Sequence, residues 1–318
     1  MRDNNERTVD VIIPVYRPKE QLNRLLEMLG KQTRKPEKII IMNTEQSYWD
    51  DRAYAHIPNL EVHHVTREEY DHGGTRNLGA GYASADVMVF MTDDAVPADE
   101  YLLERLTAAF DRRGPEGETV IMAYACQLAA KDCEFIERYT RSFNYPKEPC
   151  VKTAGDLPRL GIKTYFASNV CCAYDRELYF KRGGFIRKTI FNEDMIFAGG
   201  AVQAGYAIVY EAGAKVIHSH NYSCMQQFHR NFDLAVSQAD HPEVFEGIRS
   251  ESEGIRMVKN TARYLISQGK AWLLPSLVMK TGCKYMGYLM GKRYRKLPAR
   301  LVRWCSMNKN YWIEKAGM

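Results

Sequence analysis

The residues most able to do chemistry are Asp71-His72-Gly73-Gly74-Thr75-Arg76-Asn77 and, about one strand later, Thr92-Asp93-Asp94-Ala95. The paired glycines free the backbone for a close approach, and Arg76-Asn77 open a short helix pattern over 78–83 whose amides favour anions. Asp93 and Asp94 follow an apolar run, where hard oxygen ligands can hold Mg²⁺ or Mn²⁺ and leave room for water and phosphate. An arginine, a helix start and an acid cluster together describe a pocket for a diphosphate. The same residues also suit plainer work, since an Asp after a strand commonly caps a turn.

Alternating strands and helices must position these groups. Residues 9–15 read as a buried strand ended by Pro14, 20–32 as a helix with Leu22, Leu25, Leu26 and Leu29 on one face, and 38–42, 60–65 and 86–91 as further strands. A helix is expected over 99–112 with Asp99 as its cap, and strands over 119–125 and 164–174. A helix over 195–204 precedes a strand pair, 207–210 and 214–217, and the chain turns helical from about 226. This alternation implies an α/β fold with a mostly parallel sheet. Ligands in such sheets bind beyond the carboxyl ends of the strands. Pro14-Val15-Tyr16, Asn43-Thr44-Glu45, the Asp71 loop and Asp93-Asp94 all fall at those ends.

Other candidates lie further along. Glu193-Asp194 starts a helix and could supply a base for an attacking hydroxyl, although carboxylates there also complement the helix dipole. Ser168-Asn169 is a polar pair inside an apolar run and needs a partner, either substrate or protein. His218 and His220 flank Ser219 on an extended run, so alternation sends them to opposite sides and at most one toward the site.

Composition narrows the class. The 318 residues are 45% hydrophobic and 26% charged, ordinary for a globular protein, and eight scattered cysteines form no Cys-x-x-Cys pair. Cys171 and Cys172 are read as core filler, with alternation turning one of them inward. The first residues are polar with no signal-peptide pattern, and no apolar run reaches the ~18–20 residues of a membrane span, so a cytoplasmic location is expected. The net charge of +5 hides an asymmetry: residues 255–318 hold 14 Lys and Arg against Glu314 alone, a net +13, leaving 30 basic against 38 acidic residues before them. Such a tail suits an anionic surface. Nucleic acid is a poor match for the acidic body, and no Gly-x-Gly-x-x-Gly follows the first strand to suggest a dehydrogenase.

Ile12-Ile13-Pro14-Val15-Tyr16, Thr92-Asp93-Asp94-Ala95 and Asn192-Glu193-Asp194 together resemble family 2 glycosyltransferases of the GT-A fold. The Asp71 motif and His218-Ser219-His220-Asn221-Tyr222-Ser223 resemble their bacterial rhamnosyltransferase branch. In place of the Asp-x-Asp usual in such enzymes stands Thr92-Asp93-Asp94, and Asn43-Thr44-Glu45 replaces a single aspartate. The resemblance implies a Rossmann-like GT-A domain over 1–223 and a basic helical region over 224–318 for acceptor or membrane association. It implies inverting transfer of a sugar, L-rhamnose from dTDP-L-rhamnose, to a hydroxyl of a polyprenyl-diphosphate-linked or other glycan acceptor. That places the chain at the inner face of the cell membrane. Pro14, Tyr16, Glu45 and Asp71 would line the nucleoside pocket. Arg76 and Asp93 would serve the diphosphate, Asp94 with His220 or His218 the divalent metal. Asp194 would be the base, with Glu193 supporting it or, like Ser168 and Asn169, meeting the acceptor. A UDP-sugar donor, or a non-catalytic nucleotide- or glycan-binding regulator, are the alternative readings.

Overall fold

Runs of valine, isoleucine and methionine with few charges build the central strands of one sheet, buried on both faces. A computed structural model describes residues 7–248 and 251–316, so most of the polar N-terminal run lies outside it. Its strands are β1 (Val9–Tyr16), β2 (Lys38–Thr44), β3 (Leu60–Val65), β4 (Val87–Met91), β5 (Val96–Pro97), β6 (Val120–Leu128), β7 (Cys150–Lys152), β8 (Cys171–Asp175) and β9 (Ala207–Ile217). Their order is β3-β2-β1-β4-β8-β6-β9-β5, with β7 also pairing β9. The β3-β2-β1-β4 half is parallel, β8 runs antiparallel to β4 and β6, and β6 and β9 are parallel. Helices Glu20–Gly30 and Leu102–Ala108 bury Leu22, Leu25, Leu29, Leu102, Leu103 and Leu106 against it.

The register decides what meets at the rim. Tyr16 stands beside Thr44, Thr44 beside Val65, and Met91 beside Cys171. Because β8 runs backwards, its entrance, Ser168-Asn169, lies at the carboxyl end of β4, where Thr92 N–H donates to the Val170 carbonyl at 3.1 Å. The ends of β6 and β9 arrive together through Leu128 and Ile217.

Several expectations need correction. Pro14 does not end β1; the strand continues to Tyr16, and the β1–β4 ladder stops at Ile12, so no bond to β4 is lost at the proline. The strand expected over 164–174 shrinks to Cys171–Asp175, preceded by a single helical turn at Gly161–Thr164, because its polar pair serves the site instead. Both Cys171 and Cys172 are buried, since β8 is covered on both faces. The expected strand pair at the end is one strand, β9, whose register against β6 jumps from Glu211 to Lys215. Asp99 accepts from the Tyr101 N–H, and Tyr101 is the residue that caps the helix from Leu102.

The chain divides into two compact units that do not break at one point in sequence. The first holds residues up to Ala130, Tyr145–Arg187 and Glu193–His218; the second holds Lys131–Asn144, Lys188–Asn192 and everything from Ser219 onward. The second unit is helical, with Cys224–Asp240 and Leu274–Lys292 as its longest contact. Phe228, Phe232 and Val236 pack with Tyr294, Val302, Cys305 and Trp312. Pro275 sits in the first turn of its helix and Pro298 just before Ala299–Cys305, so both prolines open helices.

The two long helices approach at Gly287 and Gly291. A Cβ on Gly287 would lie 2.2 Å from the Phe228 carbonyl oxygen, whereas one on Gly282 of the same helix meets nothing within 4 Å. Gly287→Ala should therefore lower stability by about 1–3 kcal/mol or more through overpacking. Gly282→Ala should be neutral or stabilising by up to about 1 kcal/mol. Thermal unfolding of the pair tests this, and equal melting temperatures would contradict the packing.

Candidate active site

Helix His72–Tyr82 begins one turn earlier than its apolar pattern suggests. Asp71 is its cap, with Oδ2 accepting from the Gly74 N–H at 2.7 Å. The glycines lie inside the helix rather than in a phosphate-binding turn, and they are there for space. A Cβ on Gly73 would meet the Ile186 carbonyl oxygen at 2.0 Å, and one on Gly79 would meet Ile12 at 2.6 Å. Asn77 fixes the opposing loop: its amide donates to the Phe185 carbonyl at 2.7 Å and accepts from the Phe185 N–H at 2.9 Å.

This close seating carries Arg76 inward, where it is 5% exposed. Its guanidinium donates to the His72 carbonyl and lies 3.0 Å from Glu193 Oε1. The expectation of an arginine open to a diphosphate thus gives way to a buried ion pair across 117 residues of sequence. Asn169 completes the arrangement. Its backbone N–H donates to Asp194 Oδ2 at 3.0 Å, its side-chain amide donates to Glu193 Oε1 at 3.3 Å, and its carbonyl oxygen accepts from the Tyr174 hydroxyl at 2.8 Å. Asn169 is thereby spent on the two carboxylates. Ser168 Oγ likewise accepts from the Gln127 amide at 3.0 Å, so the polar pair finds its partners within the protein.

These contacts split the acid pair. Burial alone would raise both carboxyls. Arg76, with His72 and Asn169, overrides burial at Glu193 and holds it below the ordinary carboxylate range. Asp194 is raised to about 7 by burial and then by the neighbouring Glu193 charge, against which the Asn169 and Met195 N–H groups act only in part. One carboxylate stays ionised while its neighbour is poised to exchange a proton near neutrality.

At the end of β4, Asp93 is raised to about 6 by burial and by Asp94, with Lys19 opposing. His218 is buried, with Nδ1 3.1 Å from Gln127 Oε1 and Nε2 3.4 Å from Asp94 Oδ1. Since the Gln127 amide nitrogen donates to Ser168, its oxygen is left to accept, which assigns the His218 proton to Nδ1. The facing Nε2 and carboxylate oxygen are donors of the kind a divalent cation takes, with Nε2 supplying its lone pair when the ring is neutral. β9 stops at Ile217, so strand alternation does not govern His218 and His220. His220 belongs to the second unit, where it borders a cleft with Lys280 and Lys284.

Beyond β1 and β2, the expected Tyr16 and Glu45 are joined by Tyr48, Arg17 and Arg67, which the sequence did not single out. Tyr16 meets Tyr48 edge-on at 5.6 Å, Arg17 lies 4.7 Å over the Tyr48 ring and donates to its hydroxyl, and Arg67 lies 6.0 Å from the Tyr16 ring. Glu45 accepts from the Arg67 N–H at 2.6 Å and so shapes this rim from within. Thr44 Oγ1, Asn43 Oδ1 and Thr92 Oγ1 are buried here without a hydrogen-bond partner among the described residues. Only the adjacency of Arg17 to Tyr16 was visible in the chain.

Comparison with known proteins decides the family. Residues 10–182 match the family described as glycosyl transferase family 2. The O-antigen chain rhamnosyltransferase RfbN of Salmonella typhimurium is 34% identical over 310 residues, 96% of each chain. WbaN of Salmonella anatum, also an O-antigen chain rhamnosyltransferase, is 35% identical over 309 residues, 95% of each. The chain belongs to glycosyl transferase family 2. In fold it resembles the mannosyltransferase PcManGT from Pyrobaculum calidifontis, solved with GDP-Man and Mn²⁺, at a TM-score of 0.55 and 16% identity over 99% of this chain and 88% of that one. The sheet and its flanking helices are thus those of a GT-A glycosyltransferase.

For this family 2 enzyme, the buried pair makes a direct prediction. Arg76→Met leaves Glu193 charged and unpaired, which should cost about 3–5 kcal/mol. Urea unfolding measures the loss, and a change below about 1 kcal/mol, the range of exposed pairs, would show that the ion pair is not buried in solution.

Proposed function

We propose that this glycosyltransferase transfers L-rhamnose from dTDP-L-rhamnose, with inversion, to a hydroxyl of a lipid-linked cell-surface polysaccharide intermediate. The observation that carries the catalytic part is the split acid pair: Asp194 raised to about 7 beside an Arg76-held Glu193. The rhamnosyl donor and the polysaccharide acceptor rest on two relatives, each named an O-antigen chain rhamnosyltransferase and matched over nearly their full length.

In this reading Asp194 is the base. A carboxylate with a pKa near neutrality accepts a hydroxyl proton far more readily than one near 4, and such positioned bases contribute roughly 10²–10⁴-fold. Glu193 stays ionised, and its charge strengthens the ionised Asp194 as an acceptor for the hydroxyl proton. Arg76 positions Glu193 and is not itself a phosphate ligand. Tyr16, Tyr48, Arg17 and Arg67 give the nucleoside an aromatic and cationic platform, with Pro14, Glu45 and the Asp71 cap shaping its floor. Asp94 and His218 would hold the divalent cation, with Asp93 beside them, while His220 remains a candidate for the same ion by its place in the chain. The cation supplies charge stabilisation for the departing nucleoside diphosphate. The basic residues of 255–318 suit docking on an anionic membrane surface, and among the described residues no helix is long and apolar enough to cross a membrane.

The pH dependence follows from the raised pKa. Asp194 must be ionised to accept the proton, so activity is lost as pH falls through about 7. The decline approaches about tenfold per pH unit below that point. Asp194→Asn should abolish transfer while leaving dTDP affinity nearly unchanged. A pH–rate profile flat from 5 to 8, or joint loss of turnover and nucleotide binding in Asp194→Asn, would refute the assignment. Turnover with UDP-sugars in preference to dTDP-rhamnose would keep the base and discard the donor.

A further inference from the structure

The second unit contains a cleft, bordered by His220, whose lysines the transfer chemistry does not use. Lys280 and Lys284, one turn apart on helix Leu274–Lys292, line it with Glu134, Glu137, Gln227 and Thr281. Both acids are already answered: Glu134 pairs with Lys280, and Glu137 with Arg141 at 3.0 Å. Lys284 makes no hydrogen bond or ion pair among the described residues, and its surroundings are hostile to its charge. Burial lowers its pKa; Glu137 opposes this, while Lys280, Arg230 and Arg141 act in the same direction as burial.

Arg230 is the second open cation. Its guanidinium lies 4.6 Å over the Phe191 ring and 5.7 Å over that of Tyr222, a residue that lines the same cleft, and it too makes no hydrogen bond or ion pair among the described residues. Among the described residues Glu134 pairs with Lys280 and Glu137 with Arg141, and no acid pairs with Lys284 or Arg230. Half-buried cations are costly until an anion arrives to accept their N–H bonds. A point-charge ammonium and a forked guanidinium together suit the spread oxygens of a phosphoryl group.

We propose that this cleft binds a phosphoryl anion other than the donor's, through Lys284 and Arg230, and that a diphosphate ester matches the two cations best. Assigning that ester to a lipid-linked acceptor rests on the reading under Proposed function; the anion site itself does not. The opposite face of the same helix exposes Val278, Met279, Tyr285 and Met286, an apolar stripe that could rest on acyl chains. The phosphoryl group therefore has two possible sources, an acceptor diphosphate or a phospholipid headgroup.

Calorimetry with inorganic pyrophosphate tests the site in the full chain, in EDTA and with dTDP saturating, so that the donor position is filled. Binding is expected to weaken about tenfold or more in Lys284→Met and in Arg230→Met, each at an unchanged melting temperature, and to survive in Lys284→Arg. Glu134→Gln, which releases Lys280, should tighten it, an effect that a merely structural role would not produce. Absence of binding in the wild-type chain, displacement by dTDP, or equal affinity in all variants would overturn the proposal. Flotation on phosphatidylglycerol vesicles then identifies the source. Loss of flotation in Lys284→Met marks a headgroup site. Unchanged flotation with a raised KM for the lipid-linked acceptor marks the acceptor's diphosphate.

Discussion

Arg76 and Glu193 are each less than a tenth exposed, and neither charge could be kept there without the other. Much of the first unit is arranged to satisfy that demand. The helix from His72 must lie close enough to deliver the guanidinium, which is why Gly73 and Gly79 sit against Ile186 and Ile12. β8 must enter at the end of β4 so that Asn169 can donate to both carboxylates. Helix Glu193–Gln203 must begin where its first turn faces them. A buried ion pair of this kind adds little net stability over an apolar one, because desolvation offsets the attraction. Its value here is electrostatic: a fixed negative charge that keeps the adjacent Asp194 protonated up to neutral pH.

The parts of this arrangement that were legible in the sequence are those set by local periodicity. Strand 60–65 is recovered residue for residue, β1, β2 and β4 within two residues at their ends, and the meeting of Tyr16, Glu45 and Asp93-Asp94 at one rim follows from parallel alternation. The parts that were not legible depend on distant partners. Gly73-Gly74 look like a turn because nothing local reveals that the Ile186 carbonyl occupies the space a Cβ would need. Arg76 looks free because Glu193 is 117 residues away. Residues 164–170 have the apolar character of a strand, yet the segment ends in a turn whose polar atoms go to Gln127, Glu193 and Asp194. The Asp94–His218 pairing was accessible as residue types but not as geometry, since the alternation used to separate the histidines ends at Ile217.

The charge asymmetry of the chain also resolves into unlike parts. Some basic residues of the second unit are structural: Arg295 donates to Asp240 at 2.8 Å, and Lys280 is held by Glu134. Others, Lys284 at the cleft and Arg230 over the Phe191 and Tyr222 rings, make no ion pair among the described residues. Between them the helix from Leu274 presents Val278 and Met279 to solvent, with Trp272 just before it. Composition reports only the sum of these roles. Which cations are answered and which are open is what separates a packed helical unit from one built to receive phosphate.

The central claim is that Asp194 is held protonated up to neutrality by burial beside an ionised Glu193. The most direct measurement is carboxyl ¹³C NMR of aspartate-labelled protein, titrated by pH and assigned by the loss of one resonance in Asp194→Asn. A resonance titrating near 7 in the wild-type chain, and shifting when Glu193→Gln removes the neighbouring charge, is the predicted result. An Asp194 resonance that titrates near 4, or does not respond to Glu193→Gln, would contradict the account.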